Sequence, residues 1–200
     1  MTQENAFRAA LGVGFLAVIS VTLYYRLQSW ASKEALDRRQ EGLFILATLR
    51  PAGLLLWLGI IAYLANPAWM RWSSVALPTW LRWAGFVVFG LGLALLTWTL
   101  RRLGTNLTDT VVTRRAHTLV TQGPYRWVRH PFYDAMALLI AGIALIAANW
   151  FMLLTGAVVF GLLAARSKTE EGHLLARFGE AYRVYRERTG RFVPRRSRIH

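Results

Sequence analysis

The chain has 200 residues, 55% of them hydrophobic and only 17% charged, with a formal net charge of +14. Soluble domains hold about 25% charged residues, so an ordinary soluble domain is excluded; so is a nucleic-acid binder, whose basic face would sit on a polar chain rather than between apolar runs. There is no cysteine, and His117, His130, His173 and His200 fall in neither HxxxH nor HExxH spacing, which excludes thiol chemistry, disulfides and a zinc centre.

Five apolar runs read as membrane-spanning helices, each close to the roughly 17–25 residues that a bilayer requires. The first, 9–25, follows Arg8 and lacks a small-residue cleavage site, so it reads as a retained helix and not a signal peptide. Residues 28–41 mix Trp30, Ala31, Ala35 and Leu36 with Lys33, Arg38 and Arg39, the composition of a short interfacial helix. The second run, 43–65, is interrupted by Arg50-Pro51. Arg50 is a charge inside a span, and two roles fit it: a functional group, or a side chain that snorkels to the interface. Trp69, Trp72, Trp80 and Trp83 mark the headgroup level between the second run and the third, 80–100. Gly85, Gly90 and Gly92 in that third run offer places for close helix approach. The fourth and fifth runs, 132–148 and 150–165, are separated by Asn149 alone, which predicts a tight helical hairpin.

Five spans place segments 26–42, 101–131 and 166–200 on one side of the membrane. Those segments hold 20 of the 24 Lys and Arg residues, whereas the opposite side holds only Arg8, Arg71 and Arg82. Positive residues collect on the cytoplasmic side. The split therefore predicts a multi-pass protein with its N-terminus outside and its C-terminus in the cytoplasm, as in a bacterial-type inner membrane. The expected fold is all-α: a polytopic bundle of about five transmembrane helices followed by a cytoplasmic amphipathic helix. It divides into two spans with the interfacial helix (1–79) and a third span, hairpin and C-terminal helix (80–200).

Two polar stretches carry candidate chemistry. The first, GPYRWVRHPFY at 123–133, leads into the fourth span. Pro131 suits the first turn of a helix, which places His130 near the N-cap, beside free N–H groups that attract an anionic group such as a carboxylate. Tyr125, Trp127 and Tyr133 offer ring faces for an adenine or a cation. The second stretch is RSKTEE at 166–171, where Arg166 and Glu170 share one helical face and Glu171 follows. Beyond it, Leu174, Leu175, Phe178, Tyr182 and Tyr185 form a stripe at helical spacing, expected on a helix lying along the membrane. An antiparallel hairpin with a minimal loop brings both stretches together at one end.

GPYRWVRHPFY, the apolar hairpin and RSKTEEGHLLARFGEAYRVYRERTGRFVP at 166–194 resemble the isoprenylcysteine carboxyl methyltransferase family, with its phospholipid methyltransferase relatives, over roughly residues 85–195. The resemblance implies S-adenosylmethionine as methyl donor, bound between the hairpin ends and the C-terminal helix. It implies that Tyr125, His130, Pro131 and Tyr133, with Arg129 beside them, line the cofactor site. Glu170 and Glu171 are expected to bind the cofactor's amino group or ribose hydroxyls, and Tyr182 and Tyr185 to cover it. Arg166 is expected between cofactor and substrate, acting with Glu170 as the catalytic pair. The acceptor implied is lipophilic and enters from the bilayer. A carboxylate acceptor needs no general base, whereas an amine would need Glu170 or Glu171 to take its proton. A phospholipid or amine N-methyltransferase, a sterol-reductase-like enzyme using NADPH, and a non-catalytic membrane scaffold stay open as alternatives. Oligomeric state leaves no signal in the sequence.

Overall fold

The computed structural model describes residues 3–30, 45–104 and 118–195, and all of its regular elements are helical. The expected interfacial helix at 28–41 lies mostly outside the described residues. Helix α1 spans Gln3–Trp30. A π-helical turn, Ile45–Leu49, leads into α2, Arg50–Ala65. The change of helix type falls where Pro51 enters the first α-turn, a position at which its missing N–H costs no hydrogen bond. Asn66 ends α2 and caps the next element by accepting the Ala68 N–H at 3.0 Å. That element is a 3₁₀ segment, Pro67–Ser73, and α3 follows at Thr79–Leu103. After a 3₁₀ turn at Gly123–Arg126 come α4, Pro131–Ala147, α5, Trp150–Phe178, and α6, Glu180–Arg188.

Helices α1, α2 with the preceding turn, α3 and α5 are each long and apolar enough to cross a membrane. The fourth expected span is shorter: the 17 residues of α4 rise only about 25 Å, against a hydrocarbon core of about 30 Å. Ten of those residues are buried, so protein rather than lipid covers its polar ends. The fifth span is longer than its apolar run. No proline follows Ala165 before Pro194, and α5 continues through the charged 166–178 segment, across Gly172, until Gly179 turns the chain with φ +52°. The expected stripe is therefore divided. Leu174, Leu175 and Phe178 lie on α5, and the buried Tyr182 and Tyr185 lie on α6.

The centre of the bundle is the α3–α4 pair. A Cβ on Gly142 would lie 2.7 Å from the Phe89 nitrogen, and one on Gly92 would lie 2.9 Å from the Leu139 nitrogen. Backbone meets backbone at these points, so neither side can give way. Gly85 makes the same kind of approach near Ile146, but Gly90 has nothing within 4 Å. Of the three glycines expected to bring helices together, two do so. Gly142→Ala is expected to lower stability in detergent by about 1–3 kcal/mol, the cost of overpacking, while Gly90→Ala leaves it unchanged or raises it. Thermal unfolding of both variants checks this.

One end of the hairpin is fastened twice. Ala148, in the left-handed region at φ 48°, receives the Val75 N–H at 2.7 Å, and Asn149 donates to Ser73 Oγ at 2.8 Å while capping α5 through Met152 N. Beside it, Arg82 binds both carboxylate oxygens of Glu4 and donates to the Ile146 carbonyl at 2.8 Å. Tyr63 donates to the same Glu4 at 2.7 Å. This network ties α1, α2, α3 and α4 together and leaves the opposite end of the hairpin to hold the polar cluster.

Candidate active site

At the open end, His130 is the N-cap of α4. Its carbonyl accepts the Tyr133 N–H at 3.0 Å, and its own N–H donates to the Arg191 carbonyl at 3.2 Å. The ring is buried, stacks on Tyr133 at 5.3 Å with an interplanar angle of 10°, and meets Phe192 at 5.8 Å. Pro131, fully buried, starts the helix beside it.

The two glutamates differ sharply. Glu171 is buried, and the chain's own cations surround it. Arg129 Nε and Arg191 Nε each donate to Oε1 at 3.0 Å, Arg191 Nη2 donates to Oε2 at 2.9 Å, and His130 Nε2 lies 3.2 Å from Oε1. The pairing holds the Arg191 guanidinium above its ordinary pKa. Arg129 is occupied further by the carbonyls of Arg186 and Thr189. Glu170, one residue earlier and turned about 100° around the helix, is 21% exposed. It accepts the Tyr133 hydroxyl at 2.7 Å, and its other oxygen lies 3.6 Å from His130 Nδ1. Arg166 Nε stands 3.1 Å from Glu170 as an ion pair, yet it is a buried atom without a hydrogen-bond partner among the described residues.

Three tyrosines complete the walls. Tyr185 donates to the Tyr125 carbonyl at 2.7 Å. Tyr182 is 1% exposed, and its hydroxyl has no hydrogen-bond partner among the described residues. Burial pushes all three phenols above their usual range, helped at Tyr125 by neighbouring Tyr185 and Glu170 and at Tyr182 by Glu171. They stay neutral at physiological pH and act as donors and ring faces, not as bases.

Every expected site residue therefore lies at this end of the hairpin, but they form two groups. Tyr133, His130 and Arg166 gather around the partly exposed Glu170 carboxylate. Arg129 and Arg191 fasten the C-terminal strap through Glu171, and Arg129 also donates to the Thr189 carbonyl. The strap was not expected from the sequence. Residues 189–192 run alongside 127–130, with Gly190 N–H donating to the Trp127 carbonyl at 3.1 Å and Arg129 N–H to the Gly190 carbonyl at 2.9 Å. Arg191 and Phe192 thus join the cluster from about 60 residues away. Their only trace in the sequence is an arginine and an aromatic bracketed by Gly190 and Pro194 just after the last helix.

S-adenosylmethionine carries a sulfonium, an ammonium, a carboxylate and ribose hydroxyls. The donor set fits such a group: a buried Tyr182 hydroxyl without a hydrogen-bond partner among the described residues, a buried Arg166 Nε that is ion-paired but not hydrogen-bonded, a partly exposed carboxylate and stacked rings.

Residues 80–181 match the phospholipid methyltransferase family. The chain belongs to that family. The family match contains α3, the hairpin and both polar stretches, and it ends before Tyr182 and the strap. Among curated relatives, the chain is similar to a protein-S-isoprenylcysteine O-methyltransferase of Schizosaccharomyces pombe, 34% identical over 39% of this chain and 34% of the relative. It is also similar to a methanethiol S-methyltransferase of Mycobacterium tuberculosis, 30% identical over 63% of this chain and 46% of the relative. A cobalt-zinc-cadmium resistance protein, CzcN, of Cupriavidus metallidurans is 36% identical over 42% of this chain and 39% of the relative. These alignments span between a third and a half of each relative's length. The fold is that of a eukaryotic intramembrane Ras methyltransferase, an isoprenylcysteine carboxyl methyltransferase, with a TM-score of 0.53 at 22% identity, covering 90% of this chain and 66% of the other.

Proposed function

We propose that the protein transfers a methyl group from S-adenosylmethionine, at the membrane interface, to a lipophilic acceptor whose accepting group is a carboxylate. The observation that carries this reading is the meeting of Arg166, Glu170, His130 and Tyr133 at one end of an intramembrane hairpin, with buried donors that make no hydrogen bond among the described residues. The names of two relatives, both protein-S-isoprenylcysteine O-methyltransferases, point the same way.

The cofactor supplies an electrophilic methyl group on a positively charged sulfur. Glu170, held by Tyr133 and Arg166 but partly exposed, would hold its ammonium, since Glu171 is buried under Arg129, Arg191 and His130. The stacked His130–Tyr133 face suits a cation, and the Tyr182 hydroxyl is placed to donate to a carboxylate or ribose oxygen. Arg166 would orient the acceptor carboxylate, for which a planar guanidinium is the suitable partner. A carboxylate is ionised at pH 7 and needs no base, and the raised phenols offer none. Catalysis then rests on orientation and on exclusion of water, with the strap of residues 189–195 closing the site. We place the open end of the hairpin and the strap on the cytoplasmic side, with the N-terminus outside, because 20 of the 24 basic residues fall in the segments on that side.

Incubating purified protein with methyl-labelled S-adenosylmethionine and membrane lipid extract is expected to label a lipid-phase product that releases its methyl group in alkali, as a methyl ester does. A labelled product stable to alkali would move the acceptor to an amine, and no labelled product from any native fraction would refute methyl transfer.

A further inference from the structure

The exposed side of α3 ends in a basic, aromatic cluster that the methyl-transfer site does not use. Val87, Leu91 and Ala94 are exposed along one face of the helix, and Trp98, 40% exposed, continues that face. Arg101 and Arg102, both exposed, follow three and four residues further on. The 3₁₀ turn at Gly123–Arg126 packs beside them. Gly123 lies in the left-handed region at φ +64°, and a Cβ there would stand 2.6 Å from Arg102 Cγ and 3.2 Å from Trp98 Nε1. Only glycine lets the turn close on both side chains. Trp98 meets Trp127 edge-on at 5.5 Å and 77°, and the Arg126 guanidinium lies 4.0 Å over the Trp127 ring. The guanidinium groups of Arg101, Arg102 and Arg126 make no hydrogen bond or ion pair among the described residues, and the Trp98 indole N–H has no hydrogen-bond partner among them. Neither α3 nor the 118–130 segment contains an acidic residue. Of the cluster, only Trp127 also lines the apolar groove between α3 and α4, so the cluster belongs to the bilayer-facing surface.

We infer that this cluster binds one anionic phospholipid of the surrounding leaflet, held as a resident lipid and not as a methyl acceptor. The headgroup phosphate would lie among Arg101, Arg102, Arg126 and the Trp98 N–H, with an acyl chain along Val87, Leu91 and Ala94. Tryptophans mark the headgroup level, and basic residues at the end of a span attract anionic headgroups there. A guanidinium meets a phosphate with paired, charge-assisted hydrogen bonds. A zwitterionic lipid offers the same phosphate but carries its own cation, which the arginines repel. Snorkelling alone accounts for arginines that reach water. It does not account for Arg102 packed on a glycine turn or Arg126 stacked on an indole ring.

The test titrates the intact protein, in non-ionic detergent, with phosphatidylglycerol or with phosphatidylcholine of the same acyl chains, and counts bound lipid by native mass spectrometry. The wild type is expected to bind the first phosphatidylglycerol at least about 10-fold more tightly than phosphatidylcholine. Arg102→Gln combined with Arg126→Gln reduces that preference to about 2-fold or less, while the corresponding pair of lysine substitutions keeps most of it. Arg186→Gln combined with Arg188→Gln removes two exposed charges from α6 and leaves the preference intact. Trp98→Phe, which keeps a ring but loses the N–H, weakens both lipids, and it supplies a second reading should the glutamine pair not fold by circular dichroism. Equal binding of the two lipids by the wild type, an unaltered preference in the folded glutamine pair, or undiminished binding in Trp98→Phe overturns the inference. So does an equal loss in the α6 pair, which would make the preference a matter of diffuse charge, or displacement of the lipid by soluble glycerol phosphate, which would make the cluster a site for free anions.

Discussion

Glu171→Gln is expected to lower the unfolding free energy in detergent by about 3 kcal/mol, because removing one member of a buried ion-pair network leaves its partners charged and uncompensated. The carboxylate is 6% exposed and holds Arg129, which is 10% exposed, and Arg191, which is 34% exposed. The figure sits at the low end of the range for buried pairs because solvent screens Arg191. The carboxylate joins α5, the N-terminus of α4 and the C-terminal strap, so its loss frees all three from one another. Arg191→Ala should cost less, since Glu171 keeps Arg129 and His130. Reversible unfolding followed by circular dichroism measures both. If Glu171→Gln retained full stability but lost S-adenosylmethionine binding, Glu171 would be a ligand-binding group and not the hub of the strap.

Glu170→Gln should show the opposite pattern: S-adenosylmethionine affinity falls by about 10- to 100-fold, the scale of one hydrogen bond to a charged group, and the thermal midpoint changes little. Glu170 is partly exposed, and Tyr133 can still donate to an amide oxygen. His130→Ala should lower both affinity and stability, because the ring contacts Glu171 and stacks on Tyr133. Calorimetry paired with thermal unfolding separates the three variants.

Much of this architecture is legible in the sequence because membrane spans are long-range features of composition. The five apolar runs all form helices, and the single Asn149 between two of them forms the hairpin turn. Pairing of the motifs at 123–133 and 166–171 follows from that geometry alone. Three features are not legible, each because tertiary contact decides it. Glu170 and Glu171 are chemically identical neighbours, and only the position of the strap makes one a structural hub and leaves the other partly exposed. The strap pairs residues 189–192 with 127–130 across about 60 residues, with no periodicity to announce it. Arg82 reads as a charge that reports sidedness, yet it pairs with Glu4 and the two join four helices at the far end of the hairpin. Helix ends show the same limit. Hydropathy stops at Ala165, but α5 continues to Phe178 because charged residues are good helix formers.

The central claim is that the open end of the α4–α5 hairpin is an S-adenosylmethionine site built on Glu170. Titrating S-adenosylmethionine and NADPH in parallel into the intact, detergent-solubilised protein and its Glu170→Gln variant tests that claim most directly. The account predicts saturable binding of S-adenosylmethionine at one site per chain, weakened at least about 10-fold by the substitution, and no comparable binding of NADPH. Binding of NADPH in preference, no binding of S-adenosylmethionine by the folded protein, or equal S-adenosylmethionine affinity in the wild type and Glu170→Gln would contradict it.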